Sequence, residues 1–298
     1  MIFTVHLKKD IKMNTTETKL KLNDYPLLTG LLITVIFSFV LSINIIFRVK
    51  NNLITAGVSA IFVYFGDFSV RFLSGAIIVI LIVLLMKYIS ENPISIKEYI
   101  RTDVWLSKGV SIRKTFLAGI LSPLCYFIIC IMIASGLGAF KLDLEIIFRN
   151  PDVTEGVGWF IFLYALIPGI WEEITFRGVI LNSVKTKYSA NFAILVSSIL
   201  FGLFHIIAFM IINEPIEMLI FYFMMSTLFG LTWGYMVVKC ESVLPGILAH
   251  YIIDAFGYAI ITHPMNSGES IAGPFFMLTT LLYPLVSFLL AKTFLKKP

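Results

Sequence analysis

Charge is what this sequence has least of. Only 14% of its 298 residues are Asp, Glu, Lys or Arg, whereas soluble domains average about 25%. Hydrophobic residues make up 58% of the chain, and the mean hydropathy is +0.93. Because so few charges cannot cover a water-facing surface, the composition excludes a soluble globular protein and predicts one whose solvent is largely lipid.

Cysteine is scarce as well. Cys125, Cys130 and Cys240 form no CxxC pair and no cluster with histidine, so neither a disulfide framework nor a thiolate metal site is predicted. A basic stripe with interleaved aromatic residues is also missing, and nucleic acid is therefore not an expected partner. The net charge of +5 instead fits the basic bias of cytoplasmic loops in membrane proteins. Nothing in the sequence indicates an organic cofactor.

Long apolar runs make up most of the chain. A membrane-spanning helix needs about 20 apolar residues, and eight runs of roughly that length are present: 27–47, 70–89, 116–138, 157–183, 191–212, 216–238, 243–262 and 272–292. Another apolar run, 53–65, is too short to span comfortably and is followed by Gly66 and Asp67, so we predict a re-entrant or interfacial segment there. A span at this point also stays open, and it would invert the orientation of every later helix. The predicted fold is all-α, a polytopic transmembrane bundle of about eight spans.

The distribution of lysine and arginine predicts the orientation of the bundle. With eight spans and the N-terminus inside, most basic residues fall in inside loops, as the positive-inside rule requires. Both termini are therefore expected in the cytoplasm. Residues 1–26 are interpreted as a polar cytoplasmic leader, 27–115 as an N-terminal transmembrane region with a basic cytoplasmic loop, and 116–298 as the bundle that carries the polar motifs. The loop 91–114 is expected to hold a surface helix, and Asp67 with Arg71 to form a surface pair in the first outer loop.

Ionisable residues inside the predicted spans concentrate in the second half of the chain. Such residues are costly in a membrane and by default indicate a functional site. Six of them fall in three later spans: Glu172, Glu173 and Arg177 in the fourth, His205 in the fifth, and His250 and Asp254 in the seventh. This concentration, after spans that carry almost no charge, makes the six the candidate site.

Helical spacing separates the roles of these residues. Residues four apart share a helix face, so Glu173 can pair with Arg177, and His250 can lie beside Asp254. Adjacent residues are about 100° apart on a helix, which points Glu172 in a different direction from Glu173. Glu172 is thus the glutamate that is free for chemistry.

A carboxylate beside imidazoles is suited to hydrolysis. It can deprotonate water directly, or the water can be bound to a metal ion. Zinc accepts the same side chains, which makes Glu172, His205, His250 and Asp254 a candidate Zn²⁺ ligand set. The spacing is not HExxH, and the ligands would come from three helices, so both mechanisms stay open. Structural interpretations also stay open: an inter-helix hydrogen bond for either histidine, and an ion pair for Glu173.

Three short motifs carry a resemblance to a known family. EEITFRG resembles EExxxR, FGLFH resembles FxxxH, and HYIID resembles HxxxN/D. In this order they resemble the CPBP intramembrane protease family, which includes CAAX prenyl endopeptidases of the Ras-converting type and abortive-infection-like bacteriocin-immunity proteins. The resemblance covers about residues 157–262.

The resemblance implies a role for each motif residue. Glu172 would activate the attacking water together with His205, and Glu173 would support Glu172 through Arg177. The family is usually described as metallopeptidases, so the resemblance also implies a metal ion.

The third motif departs from the family pattern. His250 with Asp254 would position the water or stabilise the oxyanion. Asp254 stands where many members carry Asn, and an ionised aspartate cannot donate a hydrogen bond. An oxyanion hole formed by Asp254 itself is therefore not expected.

The predicted function is that of an intramembrane endopeptidase in a multi-pass protein of the bacterial cytoplasmic membrane. It would cleave a membrane-associated, prenylated or otherwise hydrophobic peptide, so its partners would be peptide or lipidated-protein substrates and membrane lipids. Two hypotheses from other classes stay open. One is a bacteriocin-immunity or scaffold protein that acts by binding, and the other is a proton-coupled transporter with Glu172 and His205 as the relay.

Overall fold

The structure is a computed structural model of the chain. It describes residues 24–50, 59–89, 94–104, 112–137, 144–152, 156–211, 213–261, 281–290 and 292–293. These ranges form helices joined by short connections, and a single β-bridge joins Asp152 to Gly156 within them. The predicted all-α fold is confirmed.

The helices of the described residues are numbered α1 to α10 in chain order. They are α1 (Pro26–Lys50), α2 (Ala60–Ile89), α3 (Ile96–Thr102), α4 (Ile112–Leu137), α5 (Glu145–Phe148), α6 (Gly158–Lys185), α7 (Ala190–Ile211), α8 (Ile216–Cys240), α9 (Leu244–Ile261) and α10 (Leu281–Leu290).

Eight of the helices correspond to the eight predicted spans. Helices α2, α4, α6, α7 and α8 are long and apolar enough to cross a membrane, by length and composition. Helices α1, α9 and α10 contain shorter apolar stretches. The polytopic helical bundle is therefore confirmed, while its orientation and the cytoplasmic placement of both termini stay predictions. The predicted leader lies outside the described residues except for its last three positions.

The prediction for the run 53–65 is wrong from residue 60 onward. Helix α2 begins at Ala60 and continues through Gly66 and Asp67 into the predicted second span. A glycine inside a helix costs only about 1 kcal/mol relative to alanine. Asp67 is compensated by Arg71 one turn later, at 3.0 Å from Nε to Oδ2, and by the Tyr164 hydroxyl, which donates to Asp67 over 2.7 Å. Asp67 and Arg71 are thus a helix pair that faces α6, and their placement in a loop was wrong.

The surface helix expected within 91–114 is present as α3. Ser95 caps it, since the Ser95 side chain accepts a hydrogen bond from the Glu98 amide over 3.2 Å. This Ser-x-x-Glu pattern is a common helix start. Tyr99 is buried and packs α3 into the same core as the long helices.

One continuous apolar core joins the first helices to the later ones. Phe37 of α1 lies 5.4 Å from Phe204 of α7, measured between ring centroids, and 6.1 Å from Phe176 of α6. Large apolar side chains cover the outer faces instead, such as Leu73 and Ile77 of α2, each 60% exposed. Exposed apolar residues on this scale suit contact with lipid, where helix packing relies on shape and small residues.

Small residues bring α7 and α8 close together. A Cβ atom at Gly230 would lie 3.0 Å from the Ser198 Cα atom, and one at Gly234 would lie 3.1 Å from the Ile194 side chain. From the α7 side, a Cβ at Gly202 would overlap the Thr227 side chain and reach the Phe223 carbonyl oxygen at 2.9 Å. The two helices that flank the site are therefore fixed by backbone-to-backbone contact.

Substitution of Gly202 tests this contact. Gly202→Ala should lower the thermal unfolding midpoint in detergent, because overpacking typically costs roughly 1–3 kcal/mol. Gly66→Ala is the matched control, since nothing lies within 4 Å of a Cβ at Gly66, and it should leave the midpoint unchanged or raise it. Equal midpoints for the two variants would contradict close packing of α7 on α8.

Candidate active site

Helix α6 departs from α-helical geometry where it carries the first motif. Its segments Pro168–Glu172 and Ile174–Ile180 are π-helical. Such geometry is rare and is frequently found at functional sites. The backbone of α9 packs closely on this stretch, since a Cβ atom at Gly169 would lie 3.3 Å from the Tyr251 nitrogen. The irregular helix thus presents its glutamates directly to the helix that carries the third motif.

Glu173 is the centre of the polar cluster. Arg177 donates from Nη1 to Glu173 Oε1 over 2.8 Å, and both side chains are 0% exposed. His250 approaches the same oxygen, with 3.0 Å between Nδ1 and Oε1. The other oxygen, Oε2, is packed against α9, where a Cβ atom at Gly246 would lie only 2.6 Å away. The predicted pairing of Glu173 with Arg177 is therefore present, and one carboxylate joins α6 to α9.

His250 lies between two carboxylates. Its Nδ1 atom faces Glu173, and its Nε2 atom lies 3.4 Å from Asp254 Oδ2 one helical turn later. The His250 side chain is 5% exposed, whereas that of Asp254 is 34% exposed. The predicted proximity of His250 and Asp254 is therefore present, and the cluster runs from a buried end at Arg177 to a more open end at Asp254.

Glu172 lies beside this cluster without being bound in it. The residue is 8% exposed, and its Oε2 atom has no hydrogen-bond partner among the described residues. Glu172 lies within electrostatic range of His250, Asp254 and Glu173. A buried carboxylate oxygen without a donor is costly in a folded protein, and the Oε2 atoms of both glutamates lack one among the described residues. The two glutamates differ in their ion pairs, because Glu173 is paired with Arg177 and His250, whereas no ion pair of Glu172 is found among the described residues.

His205 faces the same groups from α7. Its Nδ1 atom lies 2.8 Å from the Phe201 carbonyl oxygen. A carbonyl only accepts hydrogen bonds, so Nδ1 carries the proton, and the Nε2 atom of the neutral ring keeps its lone pair. His205 and Glu172 both lie within electrostatic range of His250 and Asp254. Three helices thus bring all six candidate residues into one neighbourhood. Four of them are in direct contact: Glu173, Arg177, His250 and Asp254.

Two aromatic residues complete this neighbourhood: Phe201, which begins the FxxxH motif, and Trp233, whose part in the site was missed from the sequence. The Arg177 guanidinium lies over the Phe201 ring at 4.2 Å and near the Trp233 ring at 5.3 Å, distances typical of cation–π contacts. The available signal for Trp233 was its place three residues after Gly230, where α8 approaches α7 and Arg177. Trp171 packs against α2, with its ring 5.0 Å from that of Phe72.

Binding of a zinc ion by Glu172, His205, His250 and Asp254 stays a prediction. Within the described ranges, no group of three or more His, Cys, Asp or Glu side chains is placed to hold a metal ion. His250 meets a carboxylate at each ring nitrogen, and a carboxylate at one ring nitrogen is also what metal-ligating histidines commonly have. Activation of water by a carboxylate and an imidazole needs no metal ion.

Comparison with known proteins agrees with this geometry. Residues 154–256 match the family model described as type II CAAX prenyl endopeptidase Rce1-like. The resemblance inferred from the three motifs is confirmed over this segment. The Rce1-like segment contains α6 to α8 and most of α9, and therefore all six candidate residues.

One curated relative points the same way. The protein named "Putative membrane peptidase YdiL" of Bacillus subtilis (strain 168) is 26% identical over 116 residues. The aligned region covers 39% of this chain and 43% of that relative, so the chain spans less than half of the length of the relative it matches. At the level of the family, the similarity is to membrane peptidases.

The buried ion pair of the Rce1-like segment makes a testable contribution to stability. Arg177→Met should lower the free energy of unfolding by about 3–5 kcal/mol, because it leaves the buried Glu173 carboxylate without its cation. Arg71→Met is the matched control, since Asp67 and Arg71 form an i,i+4 pair that is 20% exposed at each side chain and should cost less. Equal losses in chemical or thermal unfolding would contradict the central position of Glu173.

Proposed function

We propose that this chain is an intramembrane endopeptidase that hydrolyses a peptide bond in a membrane-associated, hydrophobic or lipidated peptide. The proposal rests on the unequal surroundings of the two adjacent glutamates. Glu173 shares one oxygen between Arg177 and His250, so its carboxylate is occupied. Glu172 has no such ion pair among the described residues, although the Oε2 atoms of both glutamates lack a donor there. One glutamate organises the site, and the other is available to a water molecule.

Glu172 and His205 would activate that water together. Glu172 would accept a proton from it, while the Nε2 lone pair of His205 would accept a second hydrogen bond and orient the oxygen. The resulting hydroxide would attack the carbonyl carbon of the peptide bond. The proton on Glu172 would then pass to the amide nitrogen as the carbon–nitrogen bond breaks, which returns Glu172 to its starting state. General acid–base assistance of this kind contributes typically about 10²–10⁴-fold to a rate.

His250 would stabilise the negative charge that forms on the carbonyl oxygen. An imidazole that meets a carboxylate at each ring nitrogen serves as a donor at both, and its Nε2 edge faces the open end of the cluster. Asp254 would hold that edge in place without donating a hydrogen bond itself. A fixed donor aimed at a developing oxyanion is often the largest single contribution to such catalysis.

The surroundings of the site favour an apolar substrate. The six residues lie among helices whose outer faces are covered with exposed leucine, isoleucine and phenylalanine. His205 is partly exposed, as is Asp254, so the open end of the cluster is the side from which a peptide would approach. A peptide that reaches this position has to be compatible with lipid, through its own apolar residues or through an attached lipid.

The test uses the full-length protein in detergent with two fluorogenic peptides, one unmodified and apolar, the other carrying a prenylated cysteine. Glu172→Gln and His205→Ala should each lower kcat by at least about 100-fold while the unfolding midpoint is maintained. Glu217→Gln, at an exposed position in the first turn of α8, is the control and should retain wild-type activity. Full activity in both active-site variants would overturn the proposal.

The same variants separate the two rival functions. A binding or immunity protein would still protect cells from its cognate peptide when Glu172 is replaced by Gln. A proton-coupled transporter would show uptake driven by a pH gradient and release no cleavage product. If the wild-type protein cleaves no peptide and shows either the protection or the uptake, the corresponding function replaces the proposed one.

The proposed activation of water by Glu172 and His205 predicts how activity responds to chelation. Because it uses side chains alone, cleavage should continue at its original rate after exhaustive dialysis against a strong chelator. Elemental analysis of the dialysed sample should show far less than one zinc per chain, and a known zinc peptidase treated in parallel should lose activity. Loss of cleavage here, restored by added zinc, would contradict the metal-free assignment.

A further inference from the structure

One face of the His250 ring is covered by the side chain of Trp233. The Trp233 ring stacks on it, with 4.2 Å between centroids and 23° between planes. Phe201 approaches from another direction with its ring nearly perpendicular, 5.9 Å away. Glu173 and Asp254 contact the nitrogen atoms at the edge of the imidazole ring. These contacts leave the ring able to tilt out of its plane, and the Trp233 stack prevents that tilt.

Trp233 is held in turn by a hydrogen bond to another helix. Its Nε1 atom donates to the hydroxyl oxygen of Tyr283, on α10, over 2.8 Å. Trp233 is 1% exposed and Tyr283 is 0% exposed, so water does not compete for this bond. A buried indole N–H without an acceptor is costly, and the bond therefore selects one orientation of the Trp233 ring.

The position of Tyr283 is fixed from α4. Ser122 donates its hydroxyl to the same Tyr283 oxygen over 3.4 Å, and the Ser122 hydroxyl is also in direct contact with that of Ser287. The Tyr126 ring packs edge-on against Tyr283, with 5.1 Å between centroids. Polar groups inside an apolar bundle are costly unless they are paired. Here the hydroxyls of Ser287, Ser122 and Tyr283 and the Trp233 N–H group follow one another in a series of contacts.

We propose that Trp233 and Tyr283 are positioning residues that set the plane of the His250 ring. Tyr283 fixes Trp233 through its hydroxyl, and Trp233 fixes His250 through the stack. The effect of Trp233 and Tyr283 on catalysis rests on the proposed function, because it requires that His250 act on the reacting peptide. The consequence for the geometry of His250 does not depend on catalysis. The simpler reading, in which the chain of hydroxyls only joins α4, α8 and α10, predicts no effect on His250.

The test compares three conservative variants of the full-length protein in detergent. Tyr283→Phe removes the acceptor of the Trp233 N–H group, and Trp233→Phe removes the N–H group and part of the stacking surface. Tyr126→Phe is the matched control, because it removes a hydroxyl from a buried tyrosine that packs against Tyr283 and leaves the Tyr283 hydroxyl in place. Size-exclusion profiles and unfolding midpoints identify any variant that fails to fold, and Tyr283→Phe is the variant expected to fold most readily.

Two measurements decide the proposal. In protein labelled with ¹⁵N-histidine, the ring signals assigned to His250 by their loss in His250→Gln should shift in Tyr283→Phe and Trp233→Phe and stay in place in Tyr126→Phe. If the wild type cleaves peptide, the same two variants should lower kcat by about 10- to 100-fold with little change in KM, while Tyr126→Phe keeps wild-type kinetics. Unshifted His250 signals in folded Tyr283→Phe and Trp233→Phe would overturn the proposal. Shifted signals in a wild type that cleaves nothing would support it and refute the peptidase function alone.

Discussion

A single buried carboxylate oxygen, Glu173 Oε1, is the point on which the polar centre of this bundle depends. It accepts from Arg177 on its own helix and meets His250 on α9. Neither ionic group is stable alone at zero exposure, because an unpaired buried charge costs several kcal/mol. The pairing therefore fixes α6 against α9 and, by occupying Glu173, separates the tasks of two glutamates that are adjacent in the sequence.

The surrounding structure supports this contact from three sides. Gly246 and Gly169 let the backbones of α6 and α9 approach, and Phe201 places an aromatic ring beneath the Arg177 guanidinium. Gly202 and Gly230 bring α7 and α8 together, which places His205 on one side of the cluster and Trp233 on another. Tight apolar packing around a few polar groups excludes water, and electrostatic interactions are stronger where water is excluded.

Much of this arrangement could be predicted from the sequence, because lipid imposes strong constraints. Apolar runs of spanning length predicted the bundle, and ionisable residues within them predicted the site. The i,i+4 spacing was enough to pair Glu173 with Arg177, and three motifs in order were enough for the Rce1-like resemblance. Local patterns misplaced Gly66 and Asp67, since the compensating Tyr164 hydroxyl lies on another helix. They also gave no indication that His250 contacts Glu173 or that Trp233 stacks on His250, because those contacts depend on how separate helices pack. The zinc ligand set follows from residue types alone and stays a prediction, because the way four side chains on three helices meet depends on packing that local patterns do not carry.

The central claim is that Glu173 holds the structure together and Glu172 serves the chemistry. A comparison of thermal unfolding for Glu172→Gln and Glu173→Gln, in the same detergent, tests it most directly. The account predicts that Glu173→Gln lowers the unfolding midpoint strongly, because Arg177 is left as a buried cation without its partner. It predicts that Glu172→Gln leaves the midpoint unchanged or raises it, because Glu172 has no ion pair to lose among the described residues and its buried carboxylate is replaced by a neutral amide. Equal losses for the two variants, or a larger loss for Glu172→Gln, would contradict the account.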